Sequence, residues 1–225
     1  MHRFFVKEKK DNYFILDESI LKHIKIARLE NDFFYCNYES EFYKCKLENK
    51  KALIIEKENI NHEFNNEVIL AAPIIKIKRY EWILQKATEL GVTKIIPLNS
   101  KYVDQSLIKY DIKNKDSRFK EIIKNAAEQS FRNIIPEYTD VKDFKNVILE
   151  NKNKKIYVAY ELKNNEKAVN NLETNSLIIV GPEGGFTQEE IDFAIENNCE
   201  IVSLGKTILR AETACLYMLS NIKEK

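Results

Sequence analysis

The hydrophobic and polar residues of this chain follow different patterns on either side of residue 72. Before that point, short aromatic or β-branched runs bounded by Asn, Asp and Glu predict β-strands. The runs lie at residues 13–16, 33–36, 41–47 and 51–55. One helix is predicted over residues 19–26, with Ser19 as its N-cap. Residues 1–72 are therefore expected to form a small β-barrel-like domain, an architecture that often binds RNA but does not by itself define a function.

Beyond that point, buried strands alternate with amphipathic helices, which predicts an α/β layer with a mostly parallel sheet. The first expected strand, residues 68–72, ends at this point, and the others are residues 95–98, 156–159, 177–180 and 201–204. The expected helices are residues 79–90 with Gly91 as C-cap, 119–131, 187–197 with a Thr187–Glu190 capping box, and a last helix that includes residues 215–222. With the boundary set at Pro73, residues 73–225 form the second predicted domain. Ligands of such sheets bind at the carboxyl ends of the strands.

Charge is distributed unevenly, although the net formal charge is only +1. Residues 76–132 carry 13 basic and 7 acidic side chains, a net charge of +6. Residues 1–72 carry 12 basic and 13 acidic side chains, and residues 133–225 carry 11 and 15. The basic middle segment is either a phosphate-binding face or the solvated surface of helices in a lysine-rich chain.

The cysteines and the N-terminal residues indicate in which cellular compartment the protein is expected. Cys36, Cys45, Cys199 and Cys215 form no CxxC pair and lie far from the three histidines, so we expect reduced thiols and no metal site. The first ten residues lack an apolar signal segment, and no apolar stretch reaches the length of a membrane span. We therefore expect a cytoplasmic protein without membrane contact.

Four of the five glycines lie in two loops that follow predicted strands. The first loop is GPEGGFT at residues 181–187, and it matches neither a P-loop nor GxGxxG. Its Glu183 would repel a phosphate and suits a ligand with a positive group or with hydrogen-bond donors. The alternative is that the glycines and Pro182 only form a strand–helix turn.

The second glycine loop begins at Ser203 and leads into the last helix through ILRAETA at residues 208–214. Arg210 precedes this helix, where its charge opposes the helix macrodipole, so it is either a functional cation or the partner of Glu183 or Glu212. Thr213 lies in the first turn, where its structural role would be capping. Bare backbone in two loops at strand ends points to a small-molecule site.

The two loops closely resemble the ribosomal RNA small subunit methyltransferase E family, the 16S rRNA uridine N3-methyltransferases of the SPOUT superfamily. The matching segments are GPEGGFT at 181–187, SLG at 203–205 and ILRAETA at 208–214. KATELGV at 86–92, AAEQS at 126–130 with Arg132, and HIKIAR at 23–28 also match, in the same order. The chain departs from the family at Asn31, where a Gly is usual, at Phe119, where a Trp is usual, and near Lys101–Tyr102, where an Arg-Ser pair is frequent.

The resemblance implies a trefoil-knotted α/β domain preceded by a PUA-like barrel, and a homodimer whose interface completes the site. It implies S-adenosylmethionine as methyl donor and 16S rRNA near the decoding region, within the small ribosomal subunit, as substrate. The implied cofactor-binding residues are Val180, Gly181, Pro182, Glu183, Gly184, Ser203, Leu204, Gly205, Ile208, Leu209, Arg210 and Thr213. Arg210 and Glu183 are the catalytic candidates, and the RNA-binding candidates are Arg3, Arg28, Lys86, Gln129 and Arg132.

Two other functions remain open from the sequence. The chain could act on a different RNA as another SPOUT methyltransferase, or it could be a non-catalytic RNA-binding assembly factor. Arg132 and Lys86 are alternatives to Arg210 as the cation that stabilises the uracil oxygens, and Arg132 could instead pair with Glu128.

Overall fold

Two units are distinguished by their internal contacts in the computed structural model, which describes residues 2–161 and 168–224. The first unit runs to Glu63 and also includes Ala127–Ile134, and the second comprises Phe64–Ala126 and the described residues from Ile135 onward. The division therefore falls before the boundary that we predicted at residue 73. Val68–Pro73 is a strand of the second unit, and residues 127–134 join the first unit although they lie far along the chain.

The first unit contains a six-stranded sheet in the order β1-β4-β5-β6-β3-β2. The strands are β1 (Arg3–Phe5), β2 (Lys9–Lys10), β3 (Tyr13–Ile15), β4 (Phe33–Tyr38), β5 (Glu41–Glu48) and β6 (Lys51–Glu58). Only the β1–β4 pair is parallel. Its buried core is built from aromatic and aliphatic side chains of these strands, such as Phe14 and Phe34.

Helix α1 (Glu18–Ile26) of the first unit begins one residue earlier than predicted. Its N-cap is Asp17, whose carboxylate accepts a 2.9 Å hydrogen bond from the Ile20 backbone N–H. The assignment of Ser19 as N-cap is therefore wrong. Ser19 lies inside the first turn and donates its hydroxyl to Asp17. Two nearby residues of good capping type left the sequence pattern ambiguous about where the helix begins.

The second unit is built on a seven-stranded sheet in which every strand pair is parallel. Its strands are β7 (Val68–Pro73), β8 (Lys94–Asn99), β9 (Glu137–Tyr138), β10 (Lys142–Asp143), β11 (Lys155–Ala159), β13 (Ser176–Ile179) and β14 (Glu200–Val202), and β12 (Leu172–Glu173) pairs separately with β15 (Ile222–Lys223). The order is β10-β8-β7-β13-β11-β14, with β9 beside β8. The predicted α/β class with a mostly parallel sheet is confirmed.

Helices cover both faces of this sheet. They are α2 (Ile77–Glu89), α3 (Asp116–Gln129), α4 (Phe144–Glu150), α5 (Gln188–Glu196) and α6 (Ala211–Ser220), with a π-helical segment Leu107–Ile112 and a 3₁₀ turn Lys113–Lys115 before α3. Val68, Leu70 and Ala72 of β7 share a core with α2, α3 and α6. Ile69 and Ala71 face α4 and α5. A strand that is buried on both faces explains the uninterrupted apolar run of residues 68–72.

Several predicted ends in the second unit move by a few residues. The C-cap of α2 is Leu90, and Gly91 follows it with a φ of +92°, the left-handed conformation that glycine adopts readily. The Thr187 capping box is confirmed, since Thr187 and Glu190 exchange both hydrogen bonds. Ile222, predicted in the last helix, begins β15 instead. Phe119 is fully buried in α3, with its ring centroid 5.3 Å from that of Tyr80.

Candidate functional site

A cavity of about 960 Å³ opens at the carboxyl ends of four parallel strands of the second unit. The segments that follow β7, β11, β13 and β14 all contribute to its wall, together with the start of α6. Its lining residues are Lys76, Arg79, Ala159, Tyr160, Glu161, Val180, Gly181, Pro182, Glu183, Gly184, Gly185, Phe186, Ser203, Leu204, Gly205, Thr207, Ile208, Leu209, Arg210, Ala211 and Ala214. Its volume and position are those of a cofactor or substrate site in an α/β protein.

The first glycine loop forms a tight turn between β13 and α5. The Gly185 backbone N–H donates to the Pro182 carbonyl at 2.9 Å, and Gly185 has a φ of +69°. A Cβ at Gly181 would lie 3.2 Å from the Gly185 carbonyl carbon and 3.2 Å from Phe186 Cε2. The loop is therefore a compact turn and a cavity wall at once, so the two interpretations of its glycines are not exclusive.

The second glycine loop carries bare backbone with free space beside it. Gly205 has a φ of +115°, which L-residues rarely adopt, and a Cβ built there would meet nothing within 4 Å. Ser203, at the start of the loop, is 2% exposed. Because Gly205 also lines the cavity, a side chain at this position would occupy space inside the cavity.

Every predicted cofactor-binding residue except Thr213 lines this one cavity. Thr213 is exposed on α6 and does not contribute to the wall, and α6 has no side-chain cap. The sequence reasoning missed Lys76 and Arg79, which follow β7. The rule that ligands bind at the carboxyl ends of parallel strands could have found them, because β7 was recognised as a strand.

Arg79 connects two acidic residues on opposite segments of the site. Its guanidinium pairs with Glu183 in the first glycine loop, and its Nη1 lies 3.6 Å from Glu212 Oε2 in the first turn of α6. Glu212 is only 8% exposed, and its Oε2 has no hydrogen-bond partner in the described part of the chain. The sequence offered Arg210 as the partner of these two carboxylates, and that alternative is wrong.

Arg210 is the N-cap residue of α6, and it is exposed at the cavity wall. Among residues 2–161 and 168–224, no carboxylate forms an ion pair with the guanidinium of Arg210. The wall therefore combines the positive charges of Lys76, Arg79 and Arg210 with the negative charges of Glu161 and Glu183. A lining with both signs of charge suits a ligand that itself carries both.

The candidate RNA-binding residues occupy different environments. Arg28 and Gln129 are exposed in the first unit, and Arg28 has a φ of +56°. Arg3 is half-buried, with its guanidinium carbon 4.6 Å from the centroid of the Phe131 ring, and burial lowers the pKa of Arg3. In the second unit, Lys86 donates to Glu89 at 2.8 Å.

Arg132 is the one RNA-binding candidate that the structure contradicts. It is 3% exposed, and its guanidinium donates to both carboxylate oxygens of Glu63 at 2.6 to 3.0 Å. Glu63 also accepts from the Asn133 backbone N–H at 2.7 Å. Arg132 therefore stabilises the first unit internally, because a buried and paired guanidinium cannot present its charge to phosphate.

All four cysteines are buried free thiols. Among the described residues, no group of three or more His, Cys, Asp or Glu side chains is arranged to hold a metal ion. None of the helices in the described ranges has the length and apolar character needed to cross a membrane.

Comparison with known proteins identifies the family. A model of the RNA methyltransferase domain matches residues 62–223. Ribosomal RNA small subunit methyltransferase E of Mesomycoplasma hyopneumoniae is 41% identical over 223 residues, which cover 98% of each chain, and the Bacillus subtilis enzyme of that name is 34% identical over 99% of this chain and 96% of its own. The crystal structure of ribosomal RNA small subunit methyltransferase E from Neisseria gonorrhoeae bound to S-adenosyl methionine superposes with a TM-score of 0.82 at 26% identity, covering 98% of this chain and 95% of that chain. The chain belongs to the ribosomal RNA small subunit methyltransferase E family.

Proposed function

We propose that this protein transfers a methyl group from S-adenosylmethionine to N3 of a uridine in 16S ribosomal RNA, near the decoding region of the small subunit. One observation carries the proposal. Both glycine loops of the family line a single cavity at the carboxyl ends of the parallel strands. The Neisseria gonorrhoeae relative, of the same fold, was solved with S-adenosyl methionine bound.

The residues present fit S-adenosylmethionine. Gly205 offers open backbone to the cavity, and the mixed charges of the wall match a ligand that has a carboxylate, an ammonium and a sulfonium group. We assign the cofactor to Val180, Gly181, Pro182, Glu183, Gly184, Ser203, Leu204, Gly205, Ile208, Leu209 and Arg210. We assign it no contact with Thr213. When bound, the cofactor supplies an electrophilic methyl group without the need for a metal.

Arg210 is the residue to which we assign stabilisation of the uracil. N3 of uracil carries a proton at neutral pH, and its loss places negative charge on the ring oxygens. A guanidinium at the cavity wall that is not held by a carboxylate is free to stabilise that charge. Glu183 is the carboxylate to which we assign proton acceptance, and it must release Arg79 to do so.

The RNA is held outside this cavity in our proposal. We assign RNA binding in the first unit to Arg28 and Gln129, which are exposed, and to Arg3. We infer that this unit is a PUA-like barrel. Lys86 contributes from the second unit, which we infer to be a trefoil-knotted domain. We further propose that the enzyme is cytoplasmic and acts as a homodimer on 16S rRNA within the small ribosomal subunit.

Methyl transfer to small subunits purified from cells that lack this protein tests the proposal. Incubation with radiolabelled S-adenosylmethionine should label 16S rRNA, and mass spectrometry should place the label on a uridine as N3-methyluridine. Arg210→Ala should lower turnover about a hundredfold or more, while calorimetric affinity for the cofactor changes only a few-fold. Arg210→Lys keeps a positive charge but loses the planar guanidinium. Its turnover should lie between that of wild type and that of Arg210→Ala.

Other results would refute specific parts of the proposal. Labelling of a different RNA when total RNA from the same cells replaces the small subunits would assign a different substrate. Binding of RNA without cofactor binding or methyl transfer would instead identify an RNA-binding assembly factor. Arg210→Ala with normal turnover would remove Arg210 from the chemistry.

A further inference from the structure

Tyr102 is an exposed aromatic residue beside the first glycine loop. It follows β8, and 55% of its surface is accessible. A Cβ built on Gly184 would lie 2.9 Å from Tyr102 Cβ and 3.2 Å from Tyr102 Cγ. Gly184 also lines the cavity, so the tyrosine packs against the cavity wall without lining the cavity itself.

The backbone around Tyr102 is fixed by hydrogen bonds to buried groups. The Lys101 N–H donates to Glu190 Oε1 at 3.0 Å, and the Val103 N–H donates to the Ser100 carbonyl at 3.0 Å. Glu190 is 8% exposed, and its other oxygen accepts from the Thr187 N–H at 2.9 Å. The capping box of α5 therefore connects the backbone beside the tyrosine to the same loop that forms the cavity wall. Because this backbone is already ordered, it loses little conformational entropy when a ligand binds.

We propose that Tyr102 is a stacking platform for an unstacked RNA base at the entrance to the cavity, an inference that rests on the proposed function. A base must leave its stack before its N3 can reach a buried methyl donor. An exposed aromatic ring on this hydrogen-bonded backbone provides a π-face for such a base beside the cavity wall, and stacking of this kind contributes about 1–3 kcal/mol per base.

The charges near this ring favour nucleic acid as the occupant. Lys101 is exposed next to Tyr102 in the chain, and Lys76 and Arg210 are exposed at the cavity wall, whose first glycine loop packs against the ring. Exposed cations beside the ring and on the cavity wall attract the phosphates of a nucleic-acid strand. The cofactor itself is a weaker candidate, because Tyr102 is not among the residues that line the cavity.

A pair of substitutions at Tyr102, one without an aromatic ring and one with it, tests the platform. Tyr102→Leu should weaken binding of a 16S rRNA fragment about 5-fold to 150-fold, whereas Tyr102→Phe should stay within about twofold of wild type. Cofactor affinity and thermal stability should be unchanged in both, because leucine preserves contact with Gly184. Tyr110→Leu is a matched control, since Tyr110 is 59% exposed but does not adjoin the glycine loop, and it should leave RNA affinity unchanged.

A spectroscopic signature gives an independent measurement. The chain has one tryptophan, Trp82, so Tyr102→Trp in a Trp82→Phe background carries a single tryptophan fluorophore at the platform. Its emission should be quenched when the RNA fragment is added and should not change when S-adenosylmethionine alone is added.

Three results would overturn the inference. The first is wild-type RNA affinity in Tyr102→Leu, and the second is unquenched emission from the Tyr102→Trp variant with RNA bound. The third is a loss of cofactor affinity or stability with unchanged RNA affinity, which would make the ring a support for the glycine loop. Failure of the proposed function is distinguishable, because wild-type protein would then transfer no methyl group whatever the Tyr102 variants do.

Discussion

Replacing Arg79 by Met should destabilise the second unit through Glu212 more than through Glu183. Both carboxylates pair with this guanidinium, but their surroundings differ. The Glu212 side chain is 10% exposed, whereas that of Glu183 is 55% exposed. Removal of Arg79 leaves Glu183 in contact with water, but it leaves Glu212 as an uncompensated charge in a buried position.

The geometry sets the size of the effect. At 3.6 Å and an effective dielectric constant of about 20, the Coulomb attraction between Arg79 and Glu212 is about 5 kcal/mol. Desolvation of both groups offsets much of this, because neither side chain is more than 29% exposed. We therefore expect Arg79→Met to lower the free energy of unfolding by about 1–3 kcal/mol. Glu183→Gln should lower it by less than about 1 kcal/mol, as for other exposed ion pairs.

Urea denaturation followed by far-UV circular dichroism measures these differences. The informative variant is Arg79→Met combined with Glu212→Gln, in which no charge is stranded. It should be more stable than Arg79→Met alone, because the penalty comes from the buried carboxylate rather than from a lost attraction. A double variant as unstable as Arg79→Met, or a Glu183→Gln variant less stable than Arg79→Met, would refute this reasoning.

Three further predictions concern the loop, the first unit and the thiols. Gly205→Val should keep the far-UV circular dichroism spectrum of wild type but bind the cofactor more than about tenfold more weakly in calorimetry, because a β-branched side chain is strained at a φ of +115° and enters the cavity. Unchanged affinity would contradict this. Arg132→Met should lower the free energy of unfolding by about 3–5 kcal/mol, because it leaves the Glu63 carboxylate without its salt-bridge partner, but the salt dependence of RNA binding in filter assays should not change. A weaker dependence of RNA affinity on salt would show that Arg132 contacts the RNA. Burial raises the pKa of Cys199 to about 11, and all four thiols are buried, so a disulfide reagent at about pH 8 should react only after denaturation; rapid reaction of one thiol per native chain would disprove this.

The position of the two glycine loops at strand ends could be predicted because its signals are local. Glycines directly after apolar runs mark strand ends, and parallel strands bring their carboxyl ends to one edge, so the two loops were expected to meet. The capping box of α5 was equally evident from Thr187 and Glu190.

Interactions between distant residues could not be predicted in this way. Arg79 lies 104 residues from Glu183, and nothing near either residue distinguishes this pair from the many other charged residues of the chain. The same holds for Arg132 and Glu63, which are 69 residues apart, so a buried arginine looked like a surface cation. Helix α4 was missed because only seven residues form it, which is too short for a clear helical period.

The composition of the first unit has a consequence for the order in which the protein can mature during synthesis. Glu63 is made early, but its counter-ion Arg132 and the Asn133 amide that supports it come from the segment 127–134. A nascent or truncated chain that ends at residue 72 therefore contains the six strands of the first sheet and an acidic residue whose salt-bridge partner has not yet been made. Completion of this unit must wait until residue 134 has left the ribosome, by which time β7, α2 and β8 of the second unit have also emerged.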